Sequence, residues 1–208
     1  MSEENKDVIK EENLNSEAGK NVEHPKAEKI NWKKEIFSWI RLIVIVLAVV
    51  FCVKQFVIVN AVVPSTSMMN LIEVGDRLIG FRLAYAGSAT PQRYDVVIFK
   101  YPVDESENYI KRVIGLPGET VEIKNGKIYI DGSSEPLDEP YLPETMKGSY
   151  GPYVVPEGCF FMMGDNRNHS WDSREWDNTY VTKKQIYAKA WLRYKPSLGL
   201  IESAEYGE

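Results

Sequence analysis

Cysteine and histidine are both scarce in this sequence, which has two residues of each: Cys52, Cys159, His24 and His169. A structural zinc site needs four clustered ligands, mostly of these two types, and an HExxH metalloenzyme needs two histidines about one helical turn apart. A disulfide framework needs more cysteines at regular spacings. The sequence therefore excludes these three classes, and a Ser-His-Asp triad would have to use His169.

Clustered positive charge is missing as well. The 208 residues include 25 lysines and arginines against 30 acidic residues, which gives a formal net charge of -5. No segment combines a basic patch with aromatic platforms, as a nucleic-acid groove requires, so we expect no nucleic-acid partner. The length suits one domain with appendages.

One long apolar segment stands near the start of the chain. Residues 1–30 are highly charged and poor in large apolar side chains, which predicts a disordered tail. From Ile36 to Val59 the chain is mostly apolar, and as a helix this stretch would reach about 36 Å, enough to cross a hydrocarbon core of about 30 Å. We predict one transmembrane anchor over residues 31–59, because Arg41 and Lys54 lie near its ends, where long side chains reach the interface.

Two alternatives use the same segment. A buried core helix would suit the uninterrupted apolar run, which has only about 12 residues between Arg41 and Lys54. A cleaved signal peptide would suit Val59-Asn60-Ala61 as a small-residue cleavage site. The charged leader before the apolar segment is too long for an ordinary signal peptide, so we favour a retained anchor.

The basic residues around the anchor predict its orientation. Lys29, Lys33, Lys34 and Arg41 precede or begin the apolar segment, whereas Lys54 stands alone close to its end. The positive-inside rule then keeps the N-terminus cytoplasmic and places everything after about residue 60 outside the cytoplasm. We expect a single-pass protein of the cell membrane.

The rest of the chain predicts a mainly β domain. Apolar runs rich in β-branched and aromatic residues alternate with turns, and Asn125-Gly126 between two such runs indicates a hairpin. The predicted strands are Tyr94–Phe99, Tyr109–Ile114, Val121–Ile123, Lys127–Ile130, Val154–Met163 and Ile186–Tyr194, with an irregular excursion over residues 131–153. We expect an antiparallel β-rich extracytoplasmic catalytic domain over residues 60–196 and a loose tail over residues 197–208.

Three segments place polar residues among apolar ones: 62–69, 109–119 and 164–174. Each alone is explained by turn chemistry and surface ion pairs. Together, in this order and behind an anchor, they resemble the type I signal peptidases. The matching strings are PSTSMM, VGDRL, YDVVIF, YIKRVIGLPGE and GDNRNHSWDSR, and the resemblance extends from the anchor to Tyr194.

The resemblance implies a catalytic pair, with Ser67 as nucleophile and Lys111 as general base. It implies that Ser170 supplies a hydroxyl that orients Lys111, and that Ser65 helps to hold the oxyanion together with the Ser67 backbone N–H. A lysine can act as a base only if burial lowers its pKa by several units. Strand alternation allows Lys111 to point inward while Arg112 points outward.

The resemblance also implies a structural loop and a substrate surface. The expected loop residues are Asp165, Arg167, Asp172 and Arg174, with an Arg112–Asp165 ion pair, and His169 has no catalytic role. The expected substrate-binding residues are Val62, Val63, Pro64, Met68, Tyr109 and Ile110. One departure is that Asn70-Leu71 replaces the Pro-Thr that many members have after the nucleophile.

The resulting hypothesis is a membrane-anchored serine endopeptidase. It would remove signal peptides from exported preproteins after A-x-A motifs, with preproteins and the lipid bilayer as partners and with no metal or cofactor, and we expect a monomer. One alternative is a catalytically silent β domain that binds partners through an apolar edge. A hydrolase of the penicillin-binding type is excluded, because S-x-x-K, S-D-N and K-T-G are absent.

Overall fold

The computed structural model describes residues 31–201, so the expected tail over residues 1–30 lies outside the described residues. The described residues divide into two compact units, one that ends at Ile45 and one that begins at Val46. Helix α1, Trp32–Cys52, crosses this division and continues as a π-helical turn, Val53–Val57. The stretch Trp32–Val57 has a mean hydropathy of 2.8 over its most apolar window, and none of that window is buried.

This helix decides between two of the readings of the apolar segment. Its length and composition are sufficient to cross a membrane, and its apolar side chains are exposed, which does not fit a buried core helix. The helical stretch ends earlier than predicted, because Ile58 and Val59 already belong to the first strand.

The second unit contains eleven strands within the described residues. They are β1 Ile58–Val62, β2 Arg77–Phe81, β3 Val96–Lys100, β4 Asn108–Gly115, β5 Thr120–Lys124, β6 Lys127–Ile130, β7 Tyr150–Val154, β8 Cys159–Met163, β9 Val181–Thr182, β10 Ile186–Lys195 and β11 Gly199–Leu200. Two short 3-10 helical turns, Arg82–Tyr85 and Arg167–His169, interrupt the connections.

The strands form two antiparallel sheets. The larger has eight strands in the order β1-β2-β10-β3-β4-β8-β9, with β11 also paired to β10, and the smaller has the order β6-β5-β7. Every pairing is antiparallel. These findings confirm the predicted fold class: one apolar N-terminal helix followed by a mainly antiparallel β domain.

Three apolar clusters hold the sheets. The first lies on one face of β2, β10 and β3 and includes Leu78 and Met68; the third lies on the opposite face of β3 and includes Phe99 and Phe160. The second cluster joins the smaller sheet to β4 and β8. Strands β3 and β8 are thus covered on both faces, which explains why VVIF and FFMM are uninterrupted apolar runs.

The predicted hairpin is confirmed in detail. Strands β5 and β6 pair with Lys124 opposite Lys127, and Asn125 and Gly126 between them have φ values of 51° and 79°. Positive φ at both central residues is the geometry that Asn-Gly favours, because its twist matches that of the flanking strands.

The prediction of a loose segment after residue 196 is wrong for the residues that can be described. Gly199–Leu200 forms β11 against β10, and the side chain of Ile201 is buried in the first cluster. Residues 202–208 lie outside the described residues.

Candidate active site

Ser67 follows the first edge strand of the large sheet. After β1, the Val63 N–H donates to the Asp76 carbonyl, which continues the pairing of the two strands. The chain then turns at Thr66, whose carbonyl accepts a hydrogen bond from the Met69 N–H. Val63 and Met68 are buried in the first apolar cluster and anchor the segment on both sides of the nucleophile. Ser67 itself is 7% exposed, so its hydroxyl lies at the floor of a cleft rather than on an open surface.

Lys111 reaches Ser67 from the middle of β4. It is buried, and its Nζ donates a hydrogen bond to Ser67 Oγ at 2.5 Å. Burial lowers the pKa of Lys111 to about 8, because desolvation outweighs the opposing influence of the Asp172 and Asp165 carboxylates. The structure therefore joins the two residues that the sequence predicted as nucleophile and base.

Ser65 lies beside the same hydroxyl. Its Oγ is 3.3 Å from Ser67 Oγ, and either oxygen can donate. Ser65 is exposed, whereas Ser67 is buried, so the Ser65 hydroxyl stands on the solvent side of the pair. This location suits a donor to an oxygen that develops charge next to Ser67.

The expected hydrogen bond from Ser170 to Lys111 is not formed. Ser170 is 7% exposed, and its Oγ is buried without a hydrogen-bond partner in the described part of the chain. It packs instead against Gly164, where an added methyl group would overlap both Ser170 Oγ and the Ser67 carbonyl oxygen. Close packing at Gly164 thus holds Ser170 beside the Ser67 backbone.

Arg112 is as deeply buried as Lys111, so the expectation that it points outward is wrong. Its guanidinium donates two hydrogen bonds to Asp165, at 2.8 and 2.6 Å, and a third to the Tyr94 carbonyl at 2.8 Å. The centre of the Tyr141 ring lies 4.2 Å from the guanidinium carbon. Alternation places Arg112 on the opposite side of β4 from Lys111, but this side is also covered, and the expected Arg112–Asp165 pair is present.

The other loop residues are ion-paired, in part with an unexpected partner. Arg174 pairs with Asp172, with Nε 2.8 Å from Oδ1, and Asp172 Oδ2 accepts from the Gly164 N–H. Arg167 pairs outside the loop, with Glu139, at 2.6 and 3.0 Å. Sequence reasoning missed Glu139 because it lies in an irregular segment with no periodic pattern of burial.

Asn166 is a second residue that sequence reasoning left without a role. Its backbone N–H donates to the Ser67 carbonyl at 3.0 Å, and its side-chain Nδ2 donates to the Thr66 carbonyl at 3.0 Å. Two hydrogen bonds therefore attach the 164–174 loop to the nucleophile segment. The Asn in GDNR was the available signal, but a sequence string does not say which backbone groups its side chain reaches.

The turn after the nucleophile explains the departure at residue 70. Asn70 has φ of 83°, a left-handed conformation that Asn adopts more readily than most residues and that Pro cannot adopt. Its N–H faces Glu73 Oε1 at 3.4 Å. Proline therefore cannot occupy position 70 in this turn.

Ser67 and Lys111 open into a cleft of about 620 Å³. One side is formed by β1 and the segment that follows it, Val59–Met68, and the other by residues 107–111, while His169 and Trp171 contribute from the 164–174 loop. All six predicted substrate-binding residues line this cleft: Val62, Val63, Pro64, Met68, Tyr109 and Ile110. His169 is exposed, and its Nδ1 lies 3.3 Å from Asn166 Oδ1.

No group of three or more His, Cys, Asp or Glu side chains suited to a metal ion occurs among residues 31–201.

A family model described as signal peptidase, peptidase S26, matches residues 36–195. The chain belongs to this family. A Signal peptidase I of Leptolyngbya laminosa is 38% identical over 152 residues, which cover 69% of this chain and 72% of that protein. Signal peptidase I S of Bacillus subtilis is 35% identical over 173 residues, which cover 77% of this chain and 90% of that protein.

A solved structure of a signal peptidase I from Enterococcus faecalis V583 is 32% identical and has a TM-score of 0.43, covering 50% of this chain and 98% of that one. Membership in the signal peptidase family confirms the resemblance that the sequence strings carried, and with it a serine peptidase. Together with the apolar helix Trp32–Val57, it indicates a membrane-anchored member of the family.

Proposed function

We propose that this protein removes signal peptides from exported preproteins, with Ser67 as nucleophile and Lys111 as general base. The observation that carries the proposal is the 2.5 Å contact between Lys111 Nζ and Ser67 Oγ in a buried site. A serine hydroxyl becomes a good nucleophile only when a neighbouring base takes its proton. Lys111, with a pKa lowered to about 8, is neutral in a useful fraction of molecules near neutral pH.

The reaction uses one proton carrier in two directions. Neutral Lys111 takes the Ser67 proton as Oγ attacks the scissile carbonyl carbon, and the resulting oxyanion accepts from the Ser67 N–H and the Ser65 hydroxyl. Lys111 then gives the proton to the leaving amine as the C–N bond breaks, which leaves an acyl ester on Ser67. Water, activated by the same amine, hydrolyses the ester and restores the enzyme.

Two free strand edges support an extended substrate. Strand β1 pairs only with β2 among the described strands, and β4 pairs with β8 only from Arg112 onward, so its residues Asn108–Lys111 keep one open edge. Both edges border the cleft. A signal peptide that adds as a strand would gain backbone hydrogen bonds there, and pockets among Val62, Met68 and Ile110 would select small residues such as those of an A-x-A motif.

The proposed organisation follows from the anchor and the site. Residues 1–30 would be a cytoplasmic tail, residues 31–59 the anchor and residues 60–196 the extracytoplasmic catalytic domain. Lys33, Lys34 and Arg41 at the start of the anchor support this orientation through the positive-inside rule. Since Ser67, Lys111 and Ser65 come from a single chain, a monomer suffices for the proposed activity.

Cleavage of a preprotein tests this function. The full-length protein in detergent is incubated with one preprotein that carries an A-x-A signal, and the new N-terminus is sequenced. We expect a cut directly after the last small residue, and no cut by Ser67→Ala. An intact preprotein, or a cut that Ser67→Ala makes equally well, would refute the proposal; the first outcome is what a silent partner-binding domain would give.

A further inference from the structure

Residues 137–147, within the irregular excursion, form a strap behind the 164–174 loop. The strap bonds to this loop at several points away from the cleft. The Lys147 N–H donates to Asn168 Oδ1 at 2.8 Å, Asn168 Nδ2 donates to the Thr145 carbonyl at 3.2 Å, and Arg174 lies 3.2 Å from the Met146 sulfur. The strap does not line the cleft, so any effect it has on catalysis must pass through the loop.

The strongest of these connections is the ion pair between Glu139 and Arg167. Both carboxylate oxygens accept from the guanidinium, and the two side chains are 8% and 0% exposed. Tyr141 donates to Glu139 Oε1 at 2.7 Å and lies 3.1 Å from the Arg167 guanidinium. A bidentate pair with this burial fixes the guanidinium plane more firmly than a surface pair does.

The Arg167 guanidinium is connected to the backbone of Ser67 through Gly164. Arg167 Nε donates to the Gly164 carbonyl at 3.0 Å. Gly164 is packed against the Ser67 carbonyl oxygen so closely that a methyl group there would overlap it. On the same stretch of the loop, the Asn166 N–H donates to the Ser67 carbonyl. The position of Glu139 is therefore transmitted through Arg167 and the loop backbone to the peptide that carries Ser67.

We propose that Glu139 is a positioning residue, which through Arg167 holds the backbone of Ser67 where its hydroxyl meets Lys111. The proposal rests on the proposed function of Ser67 and Lys111 and adds to it a residue that contacts neither substrate nor the reacting atoms. Small displacements of a reacting group can cost about 100-fold in rate. Binding of an extended substrate along β1 and β4 does not depend on Glu139, so kcat falls and KM does not.

The test compares two ion pairs that lose the same kind of partner. Glu139→Ala breaks the pair behind the loop, and the control Glu119→Ala breaks the Arg93–Glu119 pair, which is 2.5 Å long and neither residue of which lines the cleft. Initial rates on one A-x-A preprotein are measured over a range of concentrations, below the unfolding midpoints of all variants. We expect Glu139→Ala to lower kcat about 10- to 100-fold with KM changed less than about threefold, and Glu119→Ala to match the wild type.

A double variant separates positioning from stability. Glu139→Leu with Arg167→Met replaces the buried pair by apolar side chains, which often restores stability that a single broken pair loses. The double variant removes the donor to the Gly164 carbonyl, so its kcat remains low although it is more stable than Glu139→Ala. Recovery of kcat along with stability, or a wild-type kcat in Glu139→Ala, would overturn the proposal. If Glu139→Ala fails to fold, Glu139→Gln and the double variant decide in the same way.

The wild type measured alongside keeps the two proposals distinct. Absence of any cleavage that depends on Ser67 refutes the proposed function. An active wild type with an equally active Glu139→Ala refutes only the role of Glu139.

Discussion

At the scale of single residues, the site depends on the amine of Lys111, whose surroundings are unusual for a lysine. Lys111 has no carboxylate ion pair at its Nζ among the described residues, and its hydrogen-bond partner is a neutral hydroxyl. Desolvation therefore lowers its pKa, whereas Arg112, the next residue along β4, is buried against Asp165 and stays charged. Adjacent residues thus have opposite electrostatic surroundings because they lie on opposite sides of one strand.

The lowered pKa predicts the pH dependence of cleavage. Only neutral Lys111 can accept the Ser67 proton, so kcat/KM is small below the pKa, rises with pH and levels off above an apparent pKa of about 8. Rates measured on one preprotein from pH 6 to pH 10 check this, with circular dichroism confirming that the protein stays folded. A profile that falls across this range, or that rises with a midpoint near 6.5, would point to a different base.

The same shift predicts that the catalytic lysine destabilises the fold. Folded Lys111 loses its proton near pH 8, whereas an unfolded lysine keeps it to about 10.5, so the unfolded state binds more protons between these values and stability rises with pH there. Below pH 8 the cost of burial is fully present, at about 3 kcal/mol. We expect inactive Lys111→Met to be more stable than the wild type at pH 7 by about 1–2 kcal/mol, after loss of the hydrogen bond to Ser67.

Unfolding by urea at pH 7 and at pH 9.5 measures this difference. The advantage of Lys111→Met should shrink at the higher pH. A variant less stable than the wild type at pH 7 would show that the buried amine stabilises the fold.

At the scale of elements, the turn between β1 and β2 is the least conventional part of the site. Asn70 takes a left-handed conformation three residues after the nucleophile. We predict that Asn70→Pro destabilises the protein by more than about 1 kcal/mol and lowers activity, whereas Asn70→Gly keeps both near the wild type. Thermal unfolding and cleavage rates of the two variants check this, and a fully active, stable Asn70→Pro would contradict the observed turn.

At the same scale, sequence patterns predicted the strands and the hairpin but not the burial of Arg112. Runs such as VVIF and FFMM, together with Asn125-Gly126, specify strands and a hairpin because local propensity and turn chemistry suffice for them. The alternation of side chains along β4 gave a wrong prediction for Arg112. Alternation shows that Arg112 and Lys111 lie on opposite sides of the strand, but it does not show that both sides are covered. Burial of a charge depends on an acidic partner such as Asp165, which is distant in sequence.

For the site, the sequence strings led to Ser67 and Lys111 as candidates because the resemblance assigned their roles, and the structure brings the two side chains into contact. They could not predict that Glu139 pairs with Arg167 or that Asn166 holds the Ser67 carbonyl. Both contacts arise from the tertiary placement of irregular segments, which have no hydrophobic period to read. The expected Ser170–Lys111 bond failed for a related reason: a side-chain rotamer is set by local packing, here against Gly164.

At the scale of the whole molecule, the orientation of the apolar helix in the membrane determines on which side the β domain lies. Basic residues precede the apolar helix, so we predict that protease added to right-side-out spheroplasts degrades the segment after residue 60. A protected fragment that contains the anchor should remain. Complete protection of the β domain in sealed membranes would reverse the predicted orientation.

The central claim is that a lysine, and not a histidine, activates Ser67. Its most direct measurement is cleavage of one preprotein by Lys111→Arg and by His169→Ala, with unfolding of each variant recorded to exclude misfolding. Arginine keeps the charge and cannot give up its proton in a protein, so Lys111→Arg should be inactive while folded. His169→Ala should retain most of the wild-type rate, because its ring contacts Asn166 and not Ser67. An active Lys111→Arg beside an inactive, folded His169→Ala would contradict the Ser67–Lys111 mechanism.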